Sequence, residues 1–540
     1  MSASSTARAG AMKRGLAWSV ASTILGAIGS LIVTPVLVAH LGAGDFGVYL
    51  LILALTSYAG LFDLGLTWAA GRFLADDVAG DRWSDVAQRF HTLARFLLGV
   101  GALSVGAAVV VGPPLLRLAR SALAAPSTVP LVLAGLSFAL MLQGGLAASL
   151  LRACQRFETA GRVAAIGSVL LPAGSLLAVR ASAGLTGLLA VNLLVNGVVL
   201  ALYLNAVRPE LRRADVAARW ASRYLREMAA FGGWSSLGRV LLVVMLQVDR
   251  LAVALLGSVS GLTYYAVPAN LASRVNLLGG PMANMFLSRA SLLQAQGKVA
   301  ELDRQQASGR RFLIWTAAAA AVPLALLGPR FLGVWIGPDM AARGGRVLIL
   351  LSAAYAISAV ASIDAVRLEA MGRPDLPVKA MLAWAVIAIA VIAGMGPAFG
   401  PLIVAYAVGG WLAAVGVTNI VMLRRVAGHA TSAASLGLAT ARFALCLLAA
   451  AGAGWVLQPR MTNVVTGLAC LAGVGLSFAA CGVVLILGPD ERRFLAGNLA
   501  RAMGRQTPAG PGDAGEGPSP GGGGSTGDDH SPEDPHASGR

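Results

Sequence analysis

Residues 184–207 read GLTGLLAVNLLVNGVVLALYLNAV, an apolar stretch without a single charged side chain. A helix needs about 20 apolar residues to cross the hydrocarbon core of a bilayer, so this stretch is long enough to span one. It lacks the alternation of polar and apolar residues that the strands of an outer-membrane barrel require. Because every backbone group in lipid must be hydrogen-bonded within the protein, the stretch predicts a transmembrane α-helix.

Apolar stretches of this kind recur along the whole chain. Hydrophobic residues make up 57% of the 540 residues and charged residues only 12%, whereas about a quarter of a soluble globular domain is charged. Little sequence is left for a soluble catalytic domain. We therefore predict an all-α polytopic membrane protein with about 14 transmembrane helices. The predicted spans are 15–40, 48–71, 93–112, 129–151, 162–180, 184–207, 229–253, 259–288, 312–335, 346–370, 379–397, 400–423, 438–457 and 461–487.

Basic residues are distributed according to the side of the membrane. If the N-terminus with Arg8, Lys13 and Arg14 is cytoplasmic, the inner segments hold 31 Lys and Arg residues and the outer segments hold 7. This is the bias expected of a protein of the inner (plasma) membrane with both termini in the cytoplasm. The net charge of +17 thus follows from topology, and we expect the phospholipid bilayer rather than nucleic acid as the partner of these residues.

Two parts of the chain repeat each other at an offset of 215 or 216 residues. The matches, in order, are Trp18-Ser19 with Trp234-Ser235, Leu41-Gly42 with Leu256-Gly257, and Tyr49 with Tyr264. An offset of six spans keeps both copies in the same orientation, so the repeat is parallel. We predict two parallel six-helix bundles around a central cavity, plus two C-terminal helices outside the repeat.

The predicted domain organisation follows from these spans. Residues 507–540 contain ten Gly, six Pro and six acidic residues, a composition that cannot bury enough apolar surface to fold. The predicted parts are an N-terminal lobe at 1–207, a cytoplasmic amphipathic linker at 208–228, a C-terminal lobe at 229–425, two further helices at 426–487, and a cytoplasmic tail at 488–540, disordered from about 507.

Several segments resemble a known family. They are Thr34-Pro35, the stretch LGAGDFGVY at 41–49, LFDLGL at 61–66, QVDRL at 247–251, and Gly261 with Tyr264-Tyr265. Over roughly 1–425 the chain is similar to the polysaccharide transporter (Wzx-type O-antigen flippase) family of the multidrug/oligosaccharidyl-lipid/polysaccharide exporter superfamily. Many such flippases have twelve spans, and fourteen is also typical of the related lipid II flippases.

The resemblance implies a function. Such a protein would flip undecaprenyl-pyrophosphate-linked oligosaccharide from the cytoplasmic to the periplasmic leaflet during biosynthesis of a surface polysaccharide, such as the O-antigen of lipopolysaccharide or an exopolysaccharide. Its partners would be the polyprenyl-linked glycan and, in the same pathway, a polysaccharide polymerase or glycosyltransferases. No cofactor is expected, and the coupling ion, a proton or sodium, is left open.

Charged and amide side chains deep in the predicted spans are the candidates for substrate binding in the cavity. Arg239 and Arg274 lie deep in the seventh and eighth spans, where an ionisable group is most often functional. Arginine suits a pyrophosphate because its planar guanidinium can hold two phosphate oxygens at once. Asn270 and Asn276 flank Arg274 in sequence and could bind sugar hydroxyls or neighbouring helices.

Other charged residues have two interpretations each. Asp63, in the second span, is either a coupling or a structural residue. Asp249 and Arg250 are adjacent near water at the outer end of the seventh span, where they form a local structural pair or take part in coupling. Asp364 and Arg367, near the inner end of the tenth span, are candidates for an inner gate. The spacing of Cys and His suggests no metal site.

Two other classes of protein share this hydropathy. A multidrug or organic-cation exporter of the same superfamily would favour acidic side chains in its cavity, whereas two of the deep charges here are arginines. A membrane glycosyltransferase, polymerase or O-antigen ligase would need a catalytic loop, but the longest predicted outer loop, near 113–128, is short and lacks carboxylates. The sequence therefore indicates a transporter and not an enzyme.

Overall fold

The computed structural model describes residues 2–58, 66–118, 128–213, 220–276, 296–427 and 433–489, with isolated positions at 286, 290, 293–294, 491–493 and 495–496. These residues form α-helices joined by short turns, and no strand occurs among them. The helices are α1 (Ser2–Tyr58), α2 (Leu66–Ala79), α3 (Trp83–Leu118), α4 (Val129–Ala153), α5 (Phe157–Arg180), α6 (Gly184–Leu211), α7 (Ser222–Leu256), α8 (Val259–Ser273), α9 (Val299–Trp335), α10 (Pro338–Ala370), α11 (Asp375–Phe399), α12 (Leu402–Ala427), α13 (Ala433–Leu457) and α14 (Val464–Leu485).

Within the described ranges, 11 helices are long and apolar enough to cross a membrane. The prediction of an all-α, multi-pass membrane protein is therefore confirmed. The first predicted span and the start of the second lie in α1, on either side of Gly42. Residues 59–65 of the second span are outside the description, and its last residues belong to α2. The predicted seventh and eighth spans correspond to α7 and α8, which are not among the 11.

The two Leu-Gly pairs of the sequence repeat mark equivalent boundaries in the fold. Gly42 interrupts α1 with a φ of 74°, a left-handed conformation that glycine adopts without steric cost. Gly257 follows the last residue of α7, and Ser258 then caps α8 by accepting a hydrogen bond from the Gly261 amide. In both copies a glycine separates two successive helices at the point that the sequence pattern predicts.

Small residues allow α1 and α5 to pack with their backbones close together. A Cβ atom at Gly29 would lie 2.3 Å from Cγ of Pro172, and one at Gly161 would lie 2.7 Å from Cβ of Trp18. Close approach at small residues is the usual way in which membrane helices associate, because lipid offers no hydrophobic driving force for packing. This contact fixes the face of α1 that carries Ser30.

We define the first half of the molecule as α1–α6 and the second half as α7–α12. The halves meet where α1 contacts α8, directly after the two Leu-Gly pairs. A Cβ atom at Gly47 would lie 1.9 Å from the carbonyl oxygen of Val259, and the Thr263 hydroxyl donates to the carbonyl of Ala43 at 2.7 Å. Only glycine at position 47 permits this contact.

A second contact between the halves depends on a proline. Pro35 lies inside α1 and has no N–H, so the carbonyl of Leu31, four residues earlier, lacks its usual helical donor. The indole N–H of Trp335, at the end of α9, donates to that carbonyl at 2.8 Å. The carbonyl that Pro35 leaves without a helical donor is thus hydrogen-bonded by a residue from the second half.

A charged network joins α2 and α3 of the first half to the start of α7. Asp77 accepts from the buried Arg89 at 2.8 Å, and Arg89 also contacts Glu227 at 3.3 Å. The hydroxyl of Tyr224 donates to Asp85 at 2.8 Å. The predicted linker at 208–228 therefore includes the first turns of α7, which pack against the first half.

The contacts divide the chain into two compact units, Met1–Leu487 and Gly488–Arg540. The second unit contains the predicted tail, of which residues 497–540 lie outside the description. The division of the first unit into lobes at 1–207 and 229–425, with additional helices at 426–487, stays a prediction. In the described residues, α13 and α14 pack on each other, and α14 packs along α9.

Candidate functional site

A cavity of about 480 Å³ lies in the first half, next to α8 of the second half. Its walls come from α1, α5 and α6 of the first half and from Asn270 of α8. A smaller cavity of about 60 Å³ adjoins it, lined by α1, α8 and Trp335. Both include Ser30, Thr34, Phe46 and Asn270 in their walls, and we call the two together the central cavity.

The positive charge of the central cavity comes from the second half. Arg274 lines the smaller cavity, has an exposed side chain, and forms no ion pair within the described ranges. Asn270 lies one helical turn before it on the same face of α8. The Asn270 Oδ1 atom accepts a hydrogen bond of 2.9 Å from the Arg250 guanidinium on α7. We call Arg250, Asn270 and Arg274 the cationic wall.

Of the other candidates, Asn276 is fully described, Arg239 is described only as part of a helix, and Asp63 is not described. Asn276 ends the short 3₁₀ turn Arg274–Asn276 that follows α8, and its Oδ1 atom is buried without a hydrogen-bond partner in the described part of the chain. Arg239 lies in α7, but its side chain is outside the description. Asp63 falls in the undescribed stretch 59–65. Their assigned roles stay predictions.

Asp249 lies in the interior and is not exposed to water. One carboxylate oxygen accepts from the Arg250 backbone N–H at 2.7 Å, and the other accepts from the Tyr265 hydroxyl at 3.0 Å. Its side chain is 7% exposed, so its position differs from the wet mouth expected from the sequence. The guanidinium of Arg250 points to Asn270 instead, which connects the buried carboxylate to the cationic wall through adjacent residues.

The opposite side of the cavity is neutral. Asn196 lines it and donates to the Ser137 hydroxyl at 2.9 Å and to Asn192 Oδ1 at 2.8 Å. Ser137 donates to the same Asn192 oxygen at 2.5 Å, and Tyr49 of α1 lies next to Asn192. Asn192 and Asn196 of α6 thus bond to each other and to Ser137 of α4. We call the lining residues of α1, α5 and α6 the neutral wall.

The two inner-gate candidates lie in a buried network between α9 and α10. Asp364 is paired with Arg310 and accepts from Gln306 Nε2 at 2.6 Å. Arg367 is paired with Asp303 and donates to the side-chain Oε1 atom of Gln306. All of these partners belong to the second half, so the contacts described join two neighbouring helices of one half.

Sequence reasoning did not identify every residue that shapes the cavity. Ser30 and Trp335 both line it, and neither was a candidate. The signal for Trp335 was indirect, because Pro35 frees the Leu31 carbonyl but does not specify which donor binds there. Serine on an apolar helix face carries no signal for ligand binding by itself.

Comparisons with known proteins agree with this geometry. A family model described as "Polysaccharide biosynthesis protein" matches residues 36–325. A protein of Shigella flexneri named "Putative O-antigen transporter" is 21% identical over 344 residues, which is 62% of this chain and 79% of that protein. The family model covers the part of α1 that follows residue 35 and all of α7 and α8.

Solved structures show the same fold at low sequence identity. The lipid II flippase MurJ in an inward closed conformation has a TM-score of 0.58 at 12% identity, covering 91% of this chain and 100% of that one. An inward-facing multidrug resistance MATE family transporter of the MOP superfamily has a TM-score of 0.59 at 13% identity, covering 75% and 99%. The family match extends over more than half of the sequence and includes much of the cavity, and the chain belongs to the polysaccharide biosynthesis protein family.

Proposed function

We propose that this membrane protein is a flippase that carries undecaprenyl-pyrophosphate-linked oligosaccharide from the cytoplasmic to the periplasmic leaflet. The observation that carries the proposal is Arg274, a cation on the central cavity that forms no ion pair in the described residues. The relative from Shigella flexneri bears the name of an O-antigen transporter, and the fold neighbours are a flippase and a drug transporter rather than enzymes. These names support a transport role.

The charge of the cargo explains why an unpaired arginine belongs in this cavity. A pyrophosphate in a low-dielectric slab is prohibitively costly unless a cation compensates it. The Arg274 guanidinium can hold two phosphate oxygens at once. Arg250, whose guanidinium Asn270 orients, adds a second positive charge nearby, and we expect Arg239 to contribute a third. No carboxylate is among the described residues that line the cavity, which disfavours an organic cation as cargo.

The contacts between the halves suggest how access alternates. One set holds α1 against α8 and Trp335, and the other joins α2 and α3 to the start of α7. In the proposed topology the first set is closer to the periplasm and the second closer to the cytoplasm. Opening one set while the other stays closed would expose the cargo site to each side in turn. Asp364 and Arg367, bonded within one half, would keep α9 and α10 together during this movement.

We further propose an inner-membrane location with both termini in the cytoplasm, and Asp249 as the residue that couples transport to an ion. Asp249 is buried next to Arg250, so a change in its charge would alter the orientation of the cationic wall. Asp63 is a second coupling candidate. A polymerase and glycosyltransferases of the same pathway would supply and consume the cargo.

Transport by purified protein provides the test. Full-length protein is reconstituted in liposomes with a fluorescent undecaprenyl-pyrophosphate-linked oligosaccharide, and flipping is followed by quenching of the outer leaflet. We expect Arg274→Gln to slow flipping by about thirtyfold or more, because it leaves the pyrophosphate without its cation. Arg274→Lys keeps the charge but lacks the planar guanidinium, so its flipping rate should lie between those of wild type and Arg274→Gln.

The same assay with different cargoes distinguishes the proposed flippase from a lipid II flippase and a drug exporter. Wild-type rates on Arg274→Gln would contradict the charge-neutralisation mechanism. Faster transport of lipid II than of the oligosaccharide carrier would assign the protein to lipid II flipping. Efflux of an organic cation in a drug-hypersensitive host, without flipping of either lipid, would support a drug exporter.

A further inference from the structure

A second pocket lies away from the central cavity, where the α7–α8 and α11–α12 turns meet α10. Its volume is about 310 Å³, and Ser258, Tyr264, Arg343, Val347 and Pro401 are in its walls. No residue of this pocket lines the central cavity. We call it the α8–α10 pocket.

Two close backbone approaches build this pocket. A Cβ atom at Gly257 would lie 2.6 Å from Cγ of Pro401, so glycine there lets the α11–α12 turn reach the end of α7. A Cβ atom at Gly344 would lie 2.9 Å from the carbonyl oxygen of Tyr264, so α10 packs directly on α8. The second contact brings Arg343, the preceding residue, over the ring of Tyr264. Close packing at Gly257 and Gly344 therefore holds the helices and turns that carry the pocket together.

The chemistry of the pocket is that of a cation on an aromatic surface. The Arg343 guanidinium carbon lies 5.0 Å from the centroid of the Tyr264 ring, and its side chain is exposed. Arg343 forms no ion pair in the described residues, so its N–H groups are available to an anion. The Ser258 hydroxyl, 2.9 Å from that of Ser260, adds a polar group to the lining.

The side of the membrane on which the pocket lies makes Arg343 unusual. In the proposed topology these turns face the periplasm, where the whole chain places only 7 basic residues, and Arg330, Arg343 and Arg346 are three of them. Basic residues are generally kept from this side, so a cation held over a ring there suggests a ligand. An aromatic face packs on a sugar ring, and a guanidinium binds a carboxylate through two N–H groups.

We propose that the α8–α10 pocket binds an acidic sugar residue of the glycan, with its carboxylate on Arg343 and its ring against Tyr264. This inference rests on the proposed function and deepens it, because it identifies the cargo as an acidic glycan that the second half receives on the exit side. A volume near 310 Å³ is at the lower end of the ~300–1,000 Å³ of ligand pockets, which suits a single sugar residue rather than the whole oligosaccharide.

Binding of simple sugars to the full-length protein in nanodiscs tests the proposal. Saturation-transfer NMR is recorded with glucuronate, glucose and inorganic phosphate. We expect glucuronate to bind about tenfold more tightly than glucose, because a hydrogen bond to a charged group is stronger than one between neutral groups. Arg343→Gln should remove this preference, and Tyr264→Leu should weaken the binding of both sugars. Arg346→Gln is the matched control, an exposed arginine on the same helix that does not line the pocket.

Three results would overturn the assignment. Glucuronate binding that is unchanged in Arg343→Gln, or equally reduced in Arg346→Gln, would exclude the pocket. Displacement of glucuronate by an equal concentration of phosphate would mean that the site binds any anion and does not recognise a sugar. Arg274→Gln should lose flipping but keep glucuronate binding, and loss of both would reject a separate exit-side site. Failure of flipping in wild type with intact glucuronate binding would instead overturn only the proposed cargo.

Discussion

The two walls of the central cavity are built from different chemistry. The neutral wall on α1, α5 and α6 consists of apolar, hydroxyl and amide residues, and its Asn196 is bonded to Asn192 and to Ser137. The cationic wall carries Arg274, with Arg250 held by Asn270. Although the sequence repeat relates the two halves, their cavity faces are not equivalent. The comparison indicates that the first half gives the cavity its shape, whereas the second half gives it charge.

Placing a carboxylate on the neutral wall should have the largest effect. Ser30 and Arg274 both line the smaller cavity, so Ser30→Asp would provide Arg274 with an internal partner that competes with the cargo. We expect flipping to fall by about thirtyfold or more, as for loss of a charged partner. The flipping rate is measured in reconstituted liposomes. Ser30→Asn, similar in size but neutral, should stay close to wild type, and equal rates for both variants would contradict the difference between the walls.

Removing the amide that orients Arg250 should have a smaller effect. Asn270→Leu deletes the acceptor of the 2.9 Å bond and leaves the guanidinium without this partner. We expect about a tenfold slower rate of flipping, the size of one hydrogen bond to a charged group. Asn270→Gln retains an amide and should recover part of the rate. If Asn270→Leu flips at the wild-type rate, Arg250 does not belong to the cationic wall.

The contact that brings the walls together can be tested by adding one methyl group. In Gly47→Ala the new Cβ would collide with the Val259 carbonyl, whereas Gly44, on the same segment of α1, has nothing within 4 Å. We expect Gly47→Ala to destabilise the protein by about 1–3 kcal/mol, a typical cost of overpacking. Gly44→Ala should be neutral or slightly stabilising, because alanine favours helix. Thermal unfolding in detergent compares the two, and equal melting temperatures would exclude the close contact.

The smallest effect is expected behind the neutral wall, where Ser137 of α4 bonds to Asn196. Ser137→Ala removes one member of the amide cluster between α4 and α6, which should lower stability by about 1 kcal/mol while flipping changes less than about twofold. Ser168→Ala is the control, since the Ser168 hydroxyl bonds only to the carbonyl of Ala164 in its own helix. A large loss of flipping in Ser137→Ala with unchanged stability would instead assign the amides to cargo binding.

Much of the fold could be predicted from local sequence. Apolar length identified the membrane helices, and the Leu-Gly pairs marked the breaks at Gly42 and Gly257. Prediction was weaker around Gly42, because the two helical parts of α1 follow each other across this residue without a loop between them. Arg274 lines the smaller cavity, and an ionisable side chain deep in a span is expected to face the protein interior or water. Its role in substrate binding stays a prediction.

The partners of the charged residues could not be predicted in the same way. Asp249 and Arg250 are adjacent in sequence, yet the carboxylate binds Tyr265 and the guanidinium binds Asn270. Asp364 and Arg367 suggested a gate, but their described partners come from the neighbouring α9. Each of these contacts depends on the rotation of one helix against another, which hydropathy does not encode.

The sequence by itself determined that this is a helical membrane protein with a parallel repeat and a family resemblance, because length, hydrophobicity and glycine positions act locally. The tertiary structure alone decided which polar groups meet: Trp335 with the free Leu31 carbonyl, Thr263 with Ala43, and Arg343 with Tyr264. These pairs lie far apart in the chain or on different helices. Their contact is set by backbone packing at small residues, where a single methyl group would change which surfaces can touch.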